Sequence, residues 1–250
     1  MRDKMSVNLA EIKKLNTGGI VMANMLGDVN DRPMLDAANA HVALALVLDV
    51  SGSMSGEKMT ALNTAVNTLI KEAQCDDRIK DILDLGIFLF GDRNRKTNNT
   101  LVHQGFRAIS ECADVQLQAT DGSTYVVDAL TEAVARLKTR TEMYDKAGGA
   151  HKPWIVLITD GGFHDVGSLG TVAAEMKKRE TEGKLKFFGL GVAGFDRSHV
   201  ETLTNFSNQV LEVKTANFKE FFSWVGRSMA TISGNAVGAT TTLPPLQFTS

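Results

Sequence analysis

The sequence is poor in several features that would have pointed to a function quickly. Its two cysteines, Cys75 and Cys112, are too few and too isolated for a disulfide framework, and no Cys/His pair has zinc-like spacing. A reducing compartment, the cytoplasm, is therefore expected. No apolar run comes near the roughly 20 residues of a membrane span. The early stretch SVNLAEIKKL is broken by Glu11, Lys13 and Lys14, where a signal peptide needs an unbroken apolar core. Neither sign of charge dominates. With 27 basic against 29 acidic residues and a net charge of -2, nothing draws the chain electrostatically to nucleic acid or to an anionic membrane. The five histidines, His41, His103, His151, His164 and His199, lie scattered without ligand partners at metal spacing and read as surface or structural residues.

What the chain does have is enough apolar material for one sizeable core: 250 residues, 43% of them hydrophobic, fit one ordinary domain. Four runs stand out, VALALVLDV at 42–50, DLGIFLFG at 84–91, PWIVLITDG at 153–161 and KLKFFGLGVAG at 184–194. None alternates cleanly, which marks strands covered on both faces. Between them apolar residues step by three and four, at Met59, Leu62, Val66, Leu69 and Ala73, and again at Val127, Leu130, Val134 and Leu137, as on the buried face of a helix. Val200, Leu203 and Phe206 suggest a short helix and QVLEV at 209–213 a small strand. Phe218, Phe221, Phe222, Val225, Met229 and Ile232 suggest a final amphipathic helix. LVHQGFRAI, 101–109, follows a polar loop too short for a crossover helix and so reads as an antiparallel strand. The charged loop before it, with Asp92, Arg93, Arg95 and Lys96, reads as solvated surface.

The expected architecture is α/β and doubly wound, Rossmann-like, with a mostly parallel central sheet, one antiparallel strand toward an edge and helices on both faces. Residues 41–232 form the domain. Residues 1–40 are an N-terminal extension with a weak helical pattern (Leu9, Ile12, Leu15) and a Gly18-Gly19 break, either a packing element or a partner-binding arm. Residues 233–250, rich in Gly, Thr and Pro, read as a flexible tail.

The stretch LALVLDVSGSMSGEKM, 44–59, runs a buried strand into one acid and three serines. In an open parallel sheet ligands bind beyond the carboxyl ends of the strands, where the strand order reverses. Asp49 ends the strand there, and Ser51 and Ser53, each two residues further on, can turn their hydroxyls to the same side. Oxygen donors without His or Cys suit a hard divalent cation. The plainer alternative is that Ser51, Ser53 and Ser55 cap the next helix. ATDGSTYVVDAL places Thr124 where a loop enters a helix, and VLITDGG places Asp160 at the end of another central strand. All five residues then converge on one edge of the sheet. Asp165, five positions on, is either a rim acid or a helix-start acid favoured by the dipole.

Asp49-Val50-Ser51-Gly52-Ser53, Gly122-Ser123-Thr124 and Thr159-Asp160-Gly161 together resemble the three motifs of the von Willebrand factor A domains, whose metal-ion-dependent adhesion site is written D-x-S-x-S, G-x-T and T-D-G. The resemblance covers about residues 40 to 232. It implies Ser51, Ser53 and Thr124 as direct ligands and Asp49 and Asp160 as mainly water-mediated ones, around Mg²⁺, with Mn²⁺ or Ca²⁺ as substitutes. It also implies a protein partner that offers an Asp or Glu carboxylate to the ion. Within the family, DVSGSMSGEK and FKEFFSWVGRSMATIS are similar to bacterial proteins associated with tellurite resistance and stress response, although TDGGFHD departs from their TDG-x-P-T-D loop at His164.

Enzyme alternatives fare worse on spacing. Gly52 and Gly56 enclose three residues and are followed by Glu57, unlike a phosphate-binding loop; Met54 stands where a nucleophile elbow needs serine; Ser51 replaces the second acid of a D-x-D phosphotransferase. A metal-assisted hydrolase or phosphotransferase using the same ion stays open as the alternative to a non-enzymatic binding module.

Overall fold

Residues 29–91, 95–97, 101–192 and 194–248 are described by the structure, a computed structural model; the weak helical pattern at Leu9 to Leu15, and Asp92 and Arg93, fall outside them. The apolar runs become the strands β1 (Val42–Asp49), β2 (Leu83–Phe90), β4 (Trp154–Thr159) and β5 (Lys186–Val192), with β3 (Val102–Ala108) and the short β6 (Val210–Val213) at the margins. They form one sheet in the order β3-β2-β1-β4-β5-β6. β3 alone is antiparallel, to β2; the other neighbours run parallel. Strand order reverses between β1 and β4, so the crevice beyond their carboxyl ends is the place where such sheets bind ligands.

Every residue of β1, β2 and β4 is buried, which is why these strands lack a polar face. Leu44, Leu46 and Leu48 of β1, with Trp154, Val156 and Ile158 of β4, face two helices, α1 (Glu57–Gln74) and α5 (Phe218–Ser233). Ala43, Ala45 and Val47 point the other way, toward α2 (Val127–Asp145), α3 (Gly170–Thr181) and the short α4 (Arg197–Glu201). The aromatic side of α5 is core: Trp224 lies 5.7 Å from Trp154 and 5.3 Å from Phe188 between ring centroids. α3 has no counterpart in the sequence reading, and α4 ends before Leu203 and Phe206, which that reading placed on one helix.

A buried polar cluster anchors the far end of β2. Asp84 Oδ2 accepts from Arg140 Nε at 2.7 Å and from the Tyr144 hydroxyl, and both residues of the Asp84–Arg140 pair are withdrawn from solvent. Arg140 also donates to the carbonyl of Arg32, which ties residues 29–40 to the domain. That segment runs along the outer side of β3. Arg32 N–H donates to Phe106 O at 2.8 Å, Phe106 N–H donates to Asp31 Oδ1 at 2.8 Å, and a Cβ on Gly105 would sit 2.4 Å from the backbone of Asn30. At the other end of the chain, the segment after α5 returns across the helix: Trp224 Nε1–H donates to Pro244 O at 2.7 Å, and Leu243 and Leu246 pack on the core.

Candidate functional site

Asp49 closes β1 fully buried. Its Oδ1 accepts from the backbone N–H of Ser51 at 2.8 Å, and its Oδ2 accepts from Thr159 Oγ1, at the end of β4, at 2.7 Å. Burial pushes the Asp49 carboxyl above the ordinary range, against the hydrogen bonds from Ser51 and Thr159. The carboxylate is thus held in one orientation by two neighbouring strands.

From Asp49 a run of oxygens leads outward. Ser51 Oγ lies 3.1 Å from Ser53 Oγ, and Ser53 Oγ donates to Asp160 Oδ1 at 2.7 Å. Asp160 Oδ2 accepts from Lys58 Nζ, in the first turn of α1, at 2.5 Å. Ser51, Thr124 and Asp160 are buried while Ser53 is exposed, so the cluster has a closed floor and an open mouth. The serines do not cap α1. The cap position of that helix is Gly56, with φ 73° and no side-chain cap, and the Ser55 hydroxyl donates to Gly52 O instead. The capping alternative is thereby set aside.

Thr124 reaches the same place on a loop stitched to its neighbours. Thr120 N–H donates to Val50 O at 2.7 Å and Gly52 N–H to Gly122 O at 3.4 Å. Thr124 N–H donates to His164 Nδ1 at 3.1 Å, and His164 N–H returns a bond to Thr124 O at 2.9 Å. The Thr124 hydroxyl faces Gly161, where an added Cβ would come within 3.6 Å of it. Gly91 makes another close approach possible: with φ 120°, a Cβ there would stand 2.3 Å from Ser51 N, inside any tolerable contact.

All five residues singled out from the sequence therefore lie at the carboxyl end of the sheet, four of them in one hydrogen-bonded run and Thr124 on the adjoining loop. Sequence reasoning missed Lys58, Thr159 and the part His164 plays. The GEK of the opening stretch and the Thr of T-D-G were both in view, but nothing in their spacing gave their partners. Among the described residues no three His, Cys, Asp or Glu side chains gather as metal ligands would. A cation here would rely on hydroxyls beside two carboxylates.

The sequence profile of the von Willebrand factor type A domain matches residues 43–224. No individual curated protein matches the sequence. Among solved structures the chain is similar to the pilus adhesin SpaC from Lactobacillus rhamnosus GG in its open conformation, with a TM-score of 0.61 and 12% identity over 77% of this chain and 30% of that one. It is also similar to a von Willebrand factor type A protein from Catenulispora acidiphila, with a TM-score of 0.52 and 15% identity over 77% and 43% of the two chains. The vWF domain of the type V pili tip protein Mfa5 from Porphyromonas gingivalis gives a TM-score of 0.51 and 10% identity over 81% and 99%. The chain spans less than half the length of the first two, and at these identities the likeness is one of fold.

Proposed function

Since the chain belongs to the von Willebrand factor type A family, we propose that it is a divalent-cation-dependent protein-binding module whose ion is held by Ser51, Ser53 and Thr124, with Asp49 and Asp160 behind them. The observation that carries this reading is the hydrogen-bonded run in which Asp49 Oδ1 takes the Ser51 backbone N–H at 2.8 Å, the Ser51 and Ser53 hydroxyls lie 3.1 Å apart, and Ser53 Oγ reaches Asp160 Oδ1 at 2.7 Å. Such a donor set fits a small, hard cation. Hydroxyls and carboxylates without nitrogen or sulfur select Mg²⁺, Mn²⁺ or Ca²⁺ over softer metals, and a compact shell favours Mg²⁺. When bound, the ion supplies an electrophilic centre at the mouth of the crevice. The residues of this chain orient it: Thr159 fixes the Asp49 carboxylate, and the Thr124–His164 exchange fixes the loop that carries the third hydroxyl. A partner's Asp or Glu carboxylate completes the arrangement.

The alternative, a metal-assisted hydrolase or phosphotransferase, needs a general base. His164 is poorly suited. Its Nδ1 accepts from Thr124 N–H, which leaves its proton on Nε2 and no free acceptor on the ring. Domains of this family commonly serve adhesion and interaction rather than catalysis. We extend the proposal to a setting in a bacterial stress response, in the cytoplasm, supported by the likeness of DVSGSMSGEK and the α5 segment to tellurite-resistance-associated proteins.

Calorimetric titration of the chain with Mg²⁺ and with Mn²⁺ tests the reading. Wild type should bind one ion, and Asp49→Ala and Ser53→Ala should lose that binding while keeping the circular dichroism of the fold. Metal affinity equal in all three would sink the assignment, and turnover on a phosphoester panel abolished by Ser53→Ala would promote the enzyme alternative.

A further inference from the structure

We propose that Lys58 is a tethered cation that competes with the metal for Asp160 and sets the charge of the loaded site, so that the chain gives up metal affinity in favour of a singly charged carboxylate ligand. This rests on the metal-site reading above and adds a residue which that reading does not use.

The geometry is specific. Asp160 has both oxygens committed, Oδ1 to Ser53 and Oδ2 to Lys58 Nζ, and its side chain has no solvent contact, whereas that of Lys58 keeps 32% of its surface. The ammonium therefore enters from the open side, the side from which a hydrated ion or a partner must also arrive. Among the described residues Asp160 is the carboxylate with which Lys58 pairs.

The position of Lys58 is also electrostatically costly in itself. It is the second residue of α1, where the positive end of the helix dipole disfavours a cation and favours an acid. Its neighbour Glu57 is exposed and suits that end; Lys58 does not. Its attraction to the buried carboxylate is what offsets the dipole.

Charge counting gives the consequence. Asp49 and Asp160 carry two negative charges and Lys58 one positive, leaving one negative charge for a divalent ion to meet. A cation using Asp160 must displace the ammonium or bind beside it, and either course weakens its hold. Once the ion is in place the site is left with one positive charge, which a single carboxylate neutralises. Without Lys58 the loaded site would be neutral, and a carboxylate would leave it negative.

Mn²⁺ alone, titrated calorimetrically into the full chain, separates these cases. Lys58→Met keeps the length of the stem without the charge, and should bind Mn²⁺ roughly tenfold more tightly than wild type. Lys58→Arg, which keeps the charge, should stay near wild type, and Lys58→Gln serves as a second neutral variant with folding checked by circular dichroism. Acetate added at saturating Mn²⁺ and followed by the electron paramagnetic resonance of the bound ion should reach half-effect at several-fold higher concentration in the neutral variants than in wild type. Unchanged or weaker Mn²⁺ binding in both neutral variants overturns the competition, and an unchanged acetate response overturns the charge-setting role. If wild type and Asp49→Ala bind Mn²⁺ alike, it is the metal site itself that fails.

Discussion

Asp165 closes the start of α2 from another part of the chain: its Oδ2 accepts from the backbone N–H of Val127 at 2.9 Å although the two residues stand 38 positions apart. Its Oδ1 takes the N–H of Val126 at 3.1 Å. The residue at the cap position of α2 provides no side-chain bond of its own, so the loop after β4 serves in its place. Asp165 is thus the helix-start acid that its position near a dipole suggested, on a helix other than the one that follows it. Because Thr124 lies on the loop leading into α2, the same contact braces a proposed ligand.

Asp165→Ala should therefore lower stability by about 1 kcal/mol, the usual worth of a helix cap, and the melting temperature by about 2–4 °C for a chain of this size. Asp165→Asn, which keeps an acceptor, should lose less. Thermal melts followed by circular dichroism decide it; an unchanged melting temperature in Asp165→Ala would mean that the cap contributes nothing.

The Asp84–Arg140 pair predicts a much larger effect. Burial pushes the Asp84 carboxyl up, opposed first by the Arg140 charge and then by the Tyr144 and Arg140 hydrogen bonds. Arg140→Met strands that carboxyl in the core and should cost about 3–5 kcal/mol in urea unfolding. The double variant Asp84→Leu/Arg140→Met removes both charges and should recover a large part of the loss, since a buried pair replaced by apolar groups is often close to neutral. A double variant as unstable as the single one would refute this.

The two cysteines should behave oppositely toward alkylation. Cys75 is exposed and Cys112 buried, and burial, countered mainly by a hydrogen bond from Gln104, pushes the Cys112 thiol up to about 12. Only the thiolate is a good nucleophile, so at pH 8.5 iodoacetamide should modify Cys75 in the folded chain and both cysteines only after unfolding. Mass spectrometry of the native protein showing label on Cys112 at a comparable rate would contradict the packing around it.

The fold was legible in the sequence to the extent that its elements are periodic or wholly apolar. β1, β2, β4 and β5 are covered on both faces, and the stripe of Met59, Leu62, Val66 and Leu69 is long enough to declare α1. α3 escaped notice because its buried face amounts to Val172, Ala173 and Met176 among lysines and glutamates. The reading of Val200, Leu203 and Phe206 as one helix failed for a different reason. The turn after α4 is fixed by Glu180, which accepts from the Thr204 hydroxyl and from Asn205 N–H, and this leaves Phe206 45% exposed. In the candidate site, the gathering of Asp49, Ser51, Ser53, Thr124 and Asp160 at one end of the sheet could be read from three short motifs. Lys58 and Thr159 could not, since their partners lie 102 and 110 positions away and only the closing of the sheet brings them together.

The strap at residues 29–40 alters where this domain can safely be cut. β3 is an outer strand, and a bare outer strand offers its N–H and C=O groups as a template to any other chain in extended form. Here Asp31 and Arg32 occupy both backbone groups of Phe106, and Gly105 leaves no side chain to hold Asn30 away. A fragment beginning at residue 41 would keep the whole sheet and the site and yet lose this cover. Self-association of such a fragment through β3 would then be a property of the trimming, and easily mistaken for one of the protein.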